Sequence, residues 1–484
     1  MKKYIYILCI FIWSCSEDFL EIPPDSLLAE SNFYETDSQA EAAVAAIYNS
    51  MVSLQYYGER YWLLFDLAGD DLRPRTFTGQ ALRNQIDQYN LNSDHNFIND
   101  FYTTVYAAIA RANMVIDNVE SDTEIKRIAV AEAKFLRALF YFDLVRTYGG
   151  VPIVSTLKGI DINNLNIPRN TAEEVYNLII SDLQDAEADL PPAMEGMAGG
   201  RYEGRATKGS AAGLLAKVYL FQNNFSSALA KAREVQQMGY SLYPDFKDAF
   251  IPATKNGPEH LFSVQFECLI PGPSPQQRTT DFAPQGTDII PGGGLSQDRA
   301  EDFFYSEFPN DYRKQITFLV EWKNQDGTIQ NFPPHVWKYY DPNACDFRSS
   351  SVNYPILRYS DILLIIAEAE NEVNGPSNQA IQALNEVRRR ARGVGTENEV
   401  QEDALPDIQS GISQSDLRDT ILEERRYELA FEGQRYFDLV RTGRFASVIE
   451  NTKGVNIDPS KNGLYPMPQR AIDRNPELTQ NPGY

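Results

Sequence analysis

The sequence predicts a mainly α fold: a scaffold of helix hairpins interrupted by two loop-rich excursions and a few short strands. Three observations predict it. Long stretches keep apolar residues at spacings of three and four, with few breakers inside. Two of them double back through short polar turns, "QNN" at 222–224 and "NGPSN" at 374–378. The heptapeptide YFDLVRT occurs twice, at 141–147 and 436–442, each time just ahead of a glycine, Gly149 and Gly443.

Taken in order, the chain starts with Lys2 and Lys3, then an apolar run from Tyr4 to Ile12. That run is too short to span a bilayer and reads as an export signal over residues 1–14. Ser14 before Cys15 resembles a bacterial lipobox, which makes Cys15 the expected lipidated residue; a soluble secretory signal is the less favoured reading. Residues 15–30 are an acidic tether stiffened by Pro23-Pro24.

The first helical part covers 31–240. "DSQAEAAVAAIYNSMV" is Ala-rich and free of Pro and Gly. Further on, Phe101, Val105, Ala108, Ala112 and Val115 form one helical face. The next helix carries the first heptapeptide and stops at Gly149-Gly150. Thr171, ahead of Glu173 and Glu174, is a plausible N-cap for a helix ending at Pro191-Pro192. "RATKGSAAGLLAKVYLFQNNFSSALAKAREVQQMG" is a helix, a turn and a second helix, with small and large residues placed to interlock, which resembles a tetratricopeptide (TPR) hairpin. The second part covers 241–484: a loop-rich excursion over 241–355 and TPR-like helices over 356–445. The first excursion is 58–95. Both heptapeptides place Asp and Arg three apart and free two apolar residues for the core, so they read as packing units.

Composition narrows the function. The balance of 44 Lys+Arg against 67 Asp+Glu gives −23, which argues against a nucleic-acid partner. His95, His260 and His335 lie far apart and show no metal-ligand spacing, and no stretch matches an EF-hand loop. Cys268 and Cys345 read as unpaired thiols in preference to a disulfide. "PGGGLSQD" lacks the Lys-Ser/Thr of a phosphate loop and reads as a turn. Glu423/Glu424 sits among Arg425, Arg426, Glu428 and Arg435 and reads as a charge-paired helix surface. Asp70/Asp71, with Arg73 and Phe77 behind it, could instead hold a sugar's hydroxyls and apolar face. Trp322, His335, Trp337, Tyr339 and Tyr340 are dense in polar sequence, either a stacking platform or a small satellite core.

Together these stretches resemble the SusD/RagB-type outer-membrane nutrient-binding lipoproteins. The resemblance is carried by "CSEDFLEIPP", "AEAKFLRALFYFDLVRTYGGVPIV", "RATKGSAAGLLAKVYLF", "LRYSDILLIIAEAENEVNG", "ALNEVRRRAR", "ERRYELAFEGQRYFDLVRTGR" and the closing "LYPMPQRAIDRNPELTQNPGY". It implies a SusD-like fold and a surface-exposed lipoprotein of the outer membrane. It also implies binding of nutrient oligosaccharides and their delivery to a SusC-type TonB-dependent transporter by a binding protein that is not an enzyme; the residues themselves call for no cofactor and show no metal motif. Family sites are arcs of aromatic rings that vary between members, so the candidates come from the two excursions: Asp71, Arg73, Phe77, Tyr89, Trp322 and Trp337. The competing readings are a RagB-type peptide-binding lipoprotein, a surface glycoside hydrolase and a TPR-like adaptor without a small ligand.

Overall fold

The computed structural model describes residues 34–76, 79–159, 166–268, 276–344, 348–461 and 463–484. The signal, the tether with Cys15, and also Phe77 and Cys345 lie outside them.

Helix α1 (Asp37–Met51) opens on a reciprocal cap: Thr36 Oγ1 accepts the Gln39 N–H and the Gln39 side chain accepts from the Thr36 N–H. The first excursion is more ordered than its polar sequence implies. It holds α2 (Arg60–Asp66), strand β1 (Leu72–Pro74) and α3 (Ala81–Asp87). The reason lies in "YWLLF", where Trp62, Leu63, Leu64 and Phe65 are all fully buried. Helices α4 (Asn96–Asn118) and α5 (Glu124–Tyr148) follow, and α5 ends on Gly149 at φ +72°. Helix α6 (Ala172–Asp189) is capped by Thr171, as its sequence predicts, and the Glu174 side chain completes the cap by accepting the Thr171 N–H. The pair α7 (Lys208–Phe221) and α8 (Phe225–Gln236) closes the first helical run.

The second excursion contains β2 (His260–Val264), α9 (Arg278–Phe282), β3 (Asp298–Ala300), α10 (Asp302–Glu307), α11 (Tyr312–Thr317), β4 (Phe318–Lys323), β5 (Ile329–Val336) and β6 (Tyr354–Arg358). Three antiparallel ladders result: β1 with β3, β2 with β6 and β4 with β5. The first joins the two excursions, with Leu72 opposite Ala300 and Pro74 opposite Asp298. Helices α12 (Tyr359–Asn374) and α13 (Asn378–Ala391) form the second hairpin, and α12 packs on α7 and α8 across the chain's midpoint. Helices α14 (Gln414–Glu428), α15 (Arg435–Arg441), α16 (Phe445–Lys453) and α17 (Gln469–Arg474) complete the chain. Gly433, at φ +68°, makes the bend between α14 and α15; a Cβ there would lie 2.8 Å from Tyr61 and Tyr354. The result is the mainly α, TPR-like scaffold the hairpin pattern predicts.

The two heptapeptides are packing units, and they meet. Arg146 bonds Asp143 at 2.6 Å and Arg441 bonds Asp438 at 2.7 Å; the threonines Thr147 and Thr442 each donate to the backbone carbonyl of that aspartate at 2.7 Å. The Arg146 guanidinium lies 4.1 Å from the ring centres of both Phe142 and Phe437, so it is sandwiched between one ring from each copy. Phe221 of α7 packs edge-on against both rings, at 5.2 and 6.5 Å.

The charged run at 423–435 corrects the expectation of a helix surface. Glu424, Arg425, Glu428 and Glu432 are buried. Arg358 bonds Glu259 at 2.5 Å, Glu432 at 2.8 Å and Glu428 at 2.9 Å, and Arg390 bonds Glu259 at 2.7 Å. Alongside, Asp361 bonds Lys217 at 2.8 Å and Arg425 at 2.7 Å, linking α7, α12 and α14. Burial works to raise the Asp361 carboxyl, but Lys217 and Arg425 prevail and hold it below the usual carboxylate range. Each of these buried charges has an opposite charge in contact, as charges withdrawn from water require. Cys268 is disulfide-bonded, which corrects the preference for free thiols; every other cysteine lies outside the described residues.

Candidate functional site

The residues expected to bind ligand separate into two groups. Asp71 is buried, and its carboxylate accepts from Arg426 of α14 at 2.7 Å. Asp70 beside it is held by Arg435 at 2.7 and 3.0 Å. Burial pushes the Asp71 carboxyl up to about 6 against the pull of Arg426. The pair that reads as a sugar-binding loop is a lock between the first excursion and the C-terminal helices. Arg73 sits in β1 with its guanidinium 3.6 Å from the Glu301 carboxylate. Tyr89 donates to the Ala68 carbonyl at 2.6 Å and packs edge-on against Phe445 of α16. Phe77 lies outside the described residues. The structure therefore gives Asp71, Arg73 and Tyr89 partners within the scaffold.

Trp322 and Trp337 come together. In the β4–β5 hairpin Trp322 stands opposite Gln330, and a tight turn over 324–328 reverses the chain, with Gly327 at φ +88°. Just past β5 the Tyr340 N–H bonds the Trp337 carbonyl at 2.9 Å. That turn stacks the Trp337 and Tyr340 rings 3.9 Å apart and 16° from parallel. Trp322 lies tilted beside them, at 5.9 Å from Trp337 and 6.3 Å from Tyr340. The three rings are half-buried, packed on a small core of Ala283, Ile289 and Ile290 that is separate from the main core. They cover a satellite core and keep part of their surface open to solvent, which lies between the two readings the sequence left open.

Next to the rings is a concavity of about 630 Å³, lined by Trp322, Tyr340, Lys323, Gln325 and the backbone-rich segment 287–293. Lys323 and Gln325 are exposed and bring hydrogen-bonding ends to an apolar wall. Asp288, exposed on the same rim, accepts from the Trp322 indole at 2.9 Å and from the Gln325 amide at 2.7 Å. Neither Asp288 nor Tyr340 is among the ligand residues expected from sequence. Tyr340 is detectable as one more ring in a polar stretch; Asp288 has no local signal, because its partners lie 34 and 37 residues away.

The other polar aromatics are internal. Tyr339 is buried and donates to the Phe431 carbonyl at 2.7 Å. His335 is buried between Pro333 O at 2.7 Å and Ser296 Oγ at 3.0 Å, and burial lowers its ring to about 4. It is neutral at pH 7, with the Nδ1 proton donated to the carbonyl. Among the described residues no cluster of His, Cys, Asp and Glu could hold a metal ion.

Fold and site define a class: a helical-repeat scaffold that holds an open, ring-lined concavity on a hairpin beside the repeats. The SusD family model matches residues 320–484, and a model described as starch-binding associating with outer membrane matches residues 18–220. The SusD-like protein P2 of Formosa agariphila is 30% identical, over the full length of both chains. The chain belongs to the SusD family. Among solved structures, a SusD homolog from Bacteroides thetaiotaomicron superposes with a TM-score of 0.82 at 24% identity, covering 94% of this chain and 98% of its own. A laminarin-binding SusD-like protein superposes at 0.77 with 23% identity, covering 93% and 100%. At these identities the structural likeness carries the fold.

Proposed function

We propose that this protein captures nutrient oligosaccharides at the outer surface of the cell and delivers them to a SusC-type TonB-dependent transporter. The observation that carries the reading is the Trp322–Trp337–Tyr340 face beside a concavity of about 630 Å³. A pyranose ring presents an apolar C–H face that stacks on an aromatic ring, while its hydroxyls need donors and acceptors at the edge. Lys323, Gln325 and the backbone of 287–293 supply those. Family membership supports the reading, as do the starch-binding description of the matched model and the laminarin-binding relative.

Capture proceeds by reversible stacking and hydrogen bonding, without covalent chemistry. The acidic pairs that suggest a hydrolase do not line the concavity. Asp70 and Asp71 are engaged by Arg435 and Arg426, and Glu424 is buried against Arg313. No helix of the described residues is long and apolar enough to cross a membrane. In this reading the lipid on Cys15 anchors the protein, and several acyl chains hold firmly where one is marginal.

The test is calorimetric titration with laminarin and starch oligosaccharides and with peptides, together with chromatography of the mixtures. Sugar binding without turnover is the expected result. Binding of peptides alone, or release of shorter sugars, overturns it. Delivery is tested by co-purification with a TonB-dependent barrel from the native membrane; absence of any barrel contradicts that part.

A further inference from the structure

Asp288 is an exposed acid whose two carboxylate oxygens are both committed. Its Oδ1 accepts the Trp322 indole N–H at 2.9 Å, and its Oδ2 accepts the Gln325 backbone N–H at 2.7 Å. Its neighbours Ile289 and Ile290 are buried beneath the rings, and Gln330 of β5 donates to Gly286 O at 3.1 Å, so the segment is tied down on either side of Asp288. An exposed carboxylate is well solvated without protein partners. Its commitment to one indole and one turn amide therefore matters for geometry. An indole whose N–H is held has lost its freedom to rotate, and the ordering that a ligand would otherwise impose is already done.

We infer that Asp288 is a positioning residue: it fixes the Trp322 ring and clips the 285–293 segment to the β4–β5 turn. This rests on the oligosaccharide reading of the same face and adds to it. The Trp322 N–H is taken by Asp288, so the ring offers a ligand stacking surface but no donor, and the hydroxyl contacts fall to Lys323, Gln325 and the 287–293 backbone. The Gln325 amide and the Trp322 indole, in that order, hold the Asp288 carboxyl below the ordinary aspartate range, so the two bonds that set the geometry also favour its charged form.

The experiment labels the intact protein with 5-fluorotryptophan and assigns the Trp322 resonance by its loss in Trp322→Phe. In Asp288→Ala the Trp322 resonance is expected to move and its solvent isotope shift to grow. Asp288→Asn, which keeps one acceptor oxygen, should fall between. For a laminarin or starch oligosaccharide bound by the unmodified protein, affinity should fall about tenfold in Asp288→Ala and less in Asp288→Asn, the scale expected when a preorganised ring is released. A Trp322 resonance unmoved in Asp288→Ala overturns the inference, and so does a displaced ring with unchanged affinity. If the unmodified protein binds neither sugar, the oligosaccharide reading has failed on its own, and the resonance still decides whether Asp288 fixes the ring.

Discussion

Replacing Arg146 with methionine separates a packing role for the repeated heptapeptide from a ligand-binding one. Arg146 is buried, bonded to Asp143 at 2.6 Å and sandwiched between Phe142 and Phe437 at 4.1 Å from each ring centre. Methionine keeps much of the aliphatic stem and loses the charge. Removing one partner of a buried ion pair costs about 3–5 kcal/mol, because the remaining charge is left in a low-dielectric interior. The Asp143 carboxylate would retain the Tyr56 and Tyr57 hydroxyls, at 2.5 and 2.7 Å, which places the expected loss near the lower end, about 3 kcal/mol. Asp143→Asn combined with Arg146→Met removes both charges, so the double variant should recover about 1–2 kcal/mol of the single variant's loss. Urea unfolding followed by circular dichroism reads both quantities. Oligosaccharide affinity, measured where each variant is folded, should stay within about twofold of the unmodified protein, since additive effects at distant sites leave binding alone. A loss below about 1 kcal/mol in the single variant, or an affinity loss with stability intact, would refute the packing account.

Two further predictions follow from buried and terminal groups. Asp66 is buried; its Oδ1 accepts the Gly433 N–H at 2.7 Å, its Oδ2 has no hydrogen-bond partner among the described residues, and burial pushes it up to about 7, against about 3.9 in an unfolded chain. The native state therefore binds this proton more tightly, so its stabilisation is complete below about pH 4 and is lost as pH rises through about 7. Asp66→Asn removes that dependence: urea unfolding at pH 5, 6.5 and 8 should show unmodified protein losing stability relative to the variant as pH rises, and a flat or opposite difference contradicts it. Cys15→Ala should move the protein from the membrane to the soluble fraction of fractionated cells; persistence in the membrane would mean that contact with a transporter suffices.

The helical half of the fold is legible because its determinants are local. Thr171 with Glu174, the three-four spacing along α4, and Gly149 after the first heptapeptide all act within a few residues. The site is less legible because its partners are remote. Asp71 reads as an exposed loop acid, yet the residue that neutralises it, Arg426, is 355 positions away. Tyr89 likewise rests on Phe445 of the C-terminal helices. The same blindness hides the meeting of the two heptapeptides through Arg146 and Phe437. Polar context marks a segment as a loop but does not say whether another element will cover it. Trp322 and Trp337 stand out because large rings in polar surroundings form a contrast visible in a short window, whereas the Asp288 bond that orients Trp322 is visible only after folding.

The central claim, that a hairpin-borne ring face takes the sugar while the first excursion serves the scaffold, is tested most directly by calorimetry of two variants against one oligosaccharide. Trp322→Ala should weaken binding by at least about tenfold, the scale of one lost stacking contact of about 1.4 kcal/mol, and Asp71→Asn should bind as the unmodified protein does. The reverse pattern, with Asp71→Asn impaired and Trp322→Ala intact, would contradict the account.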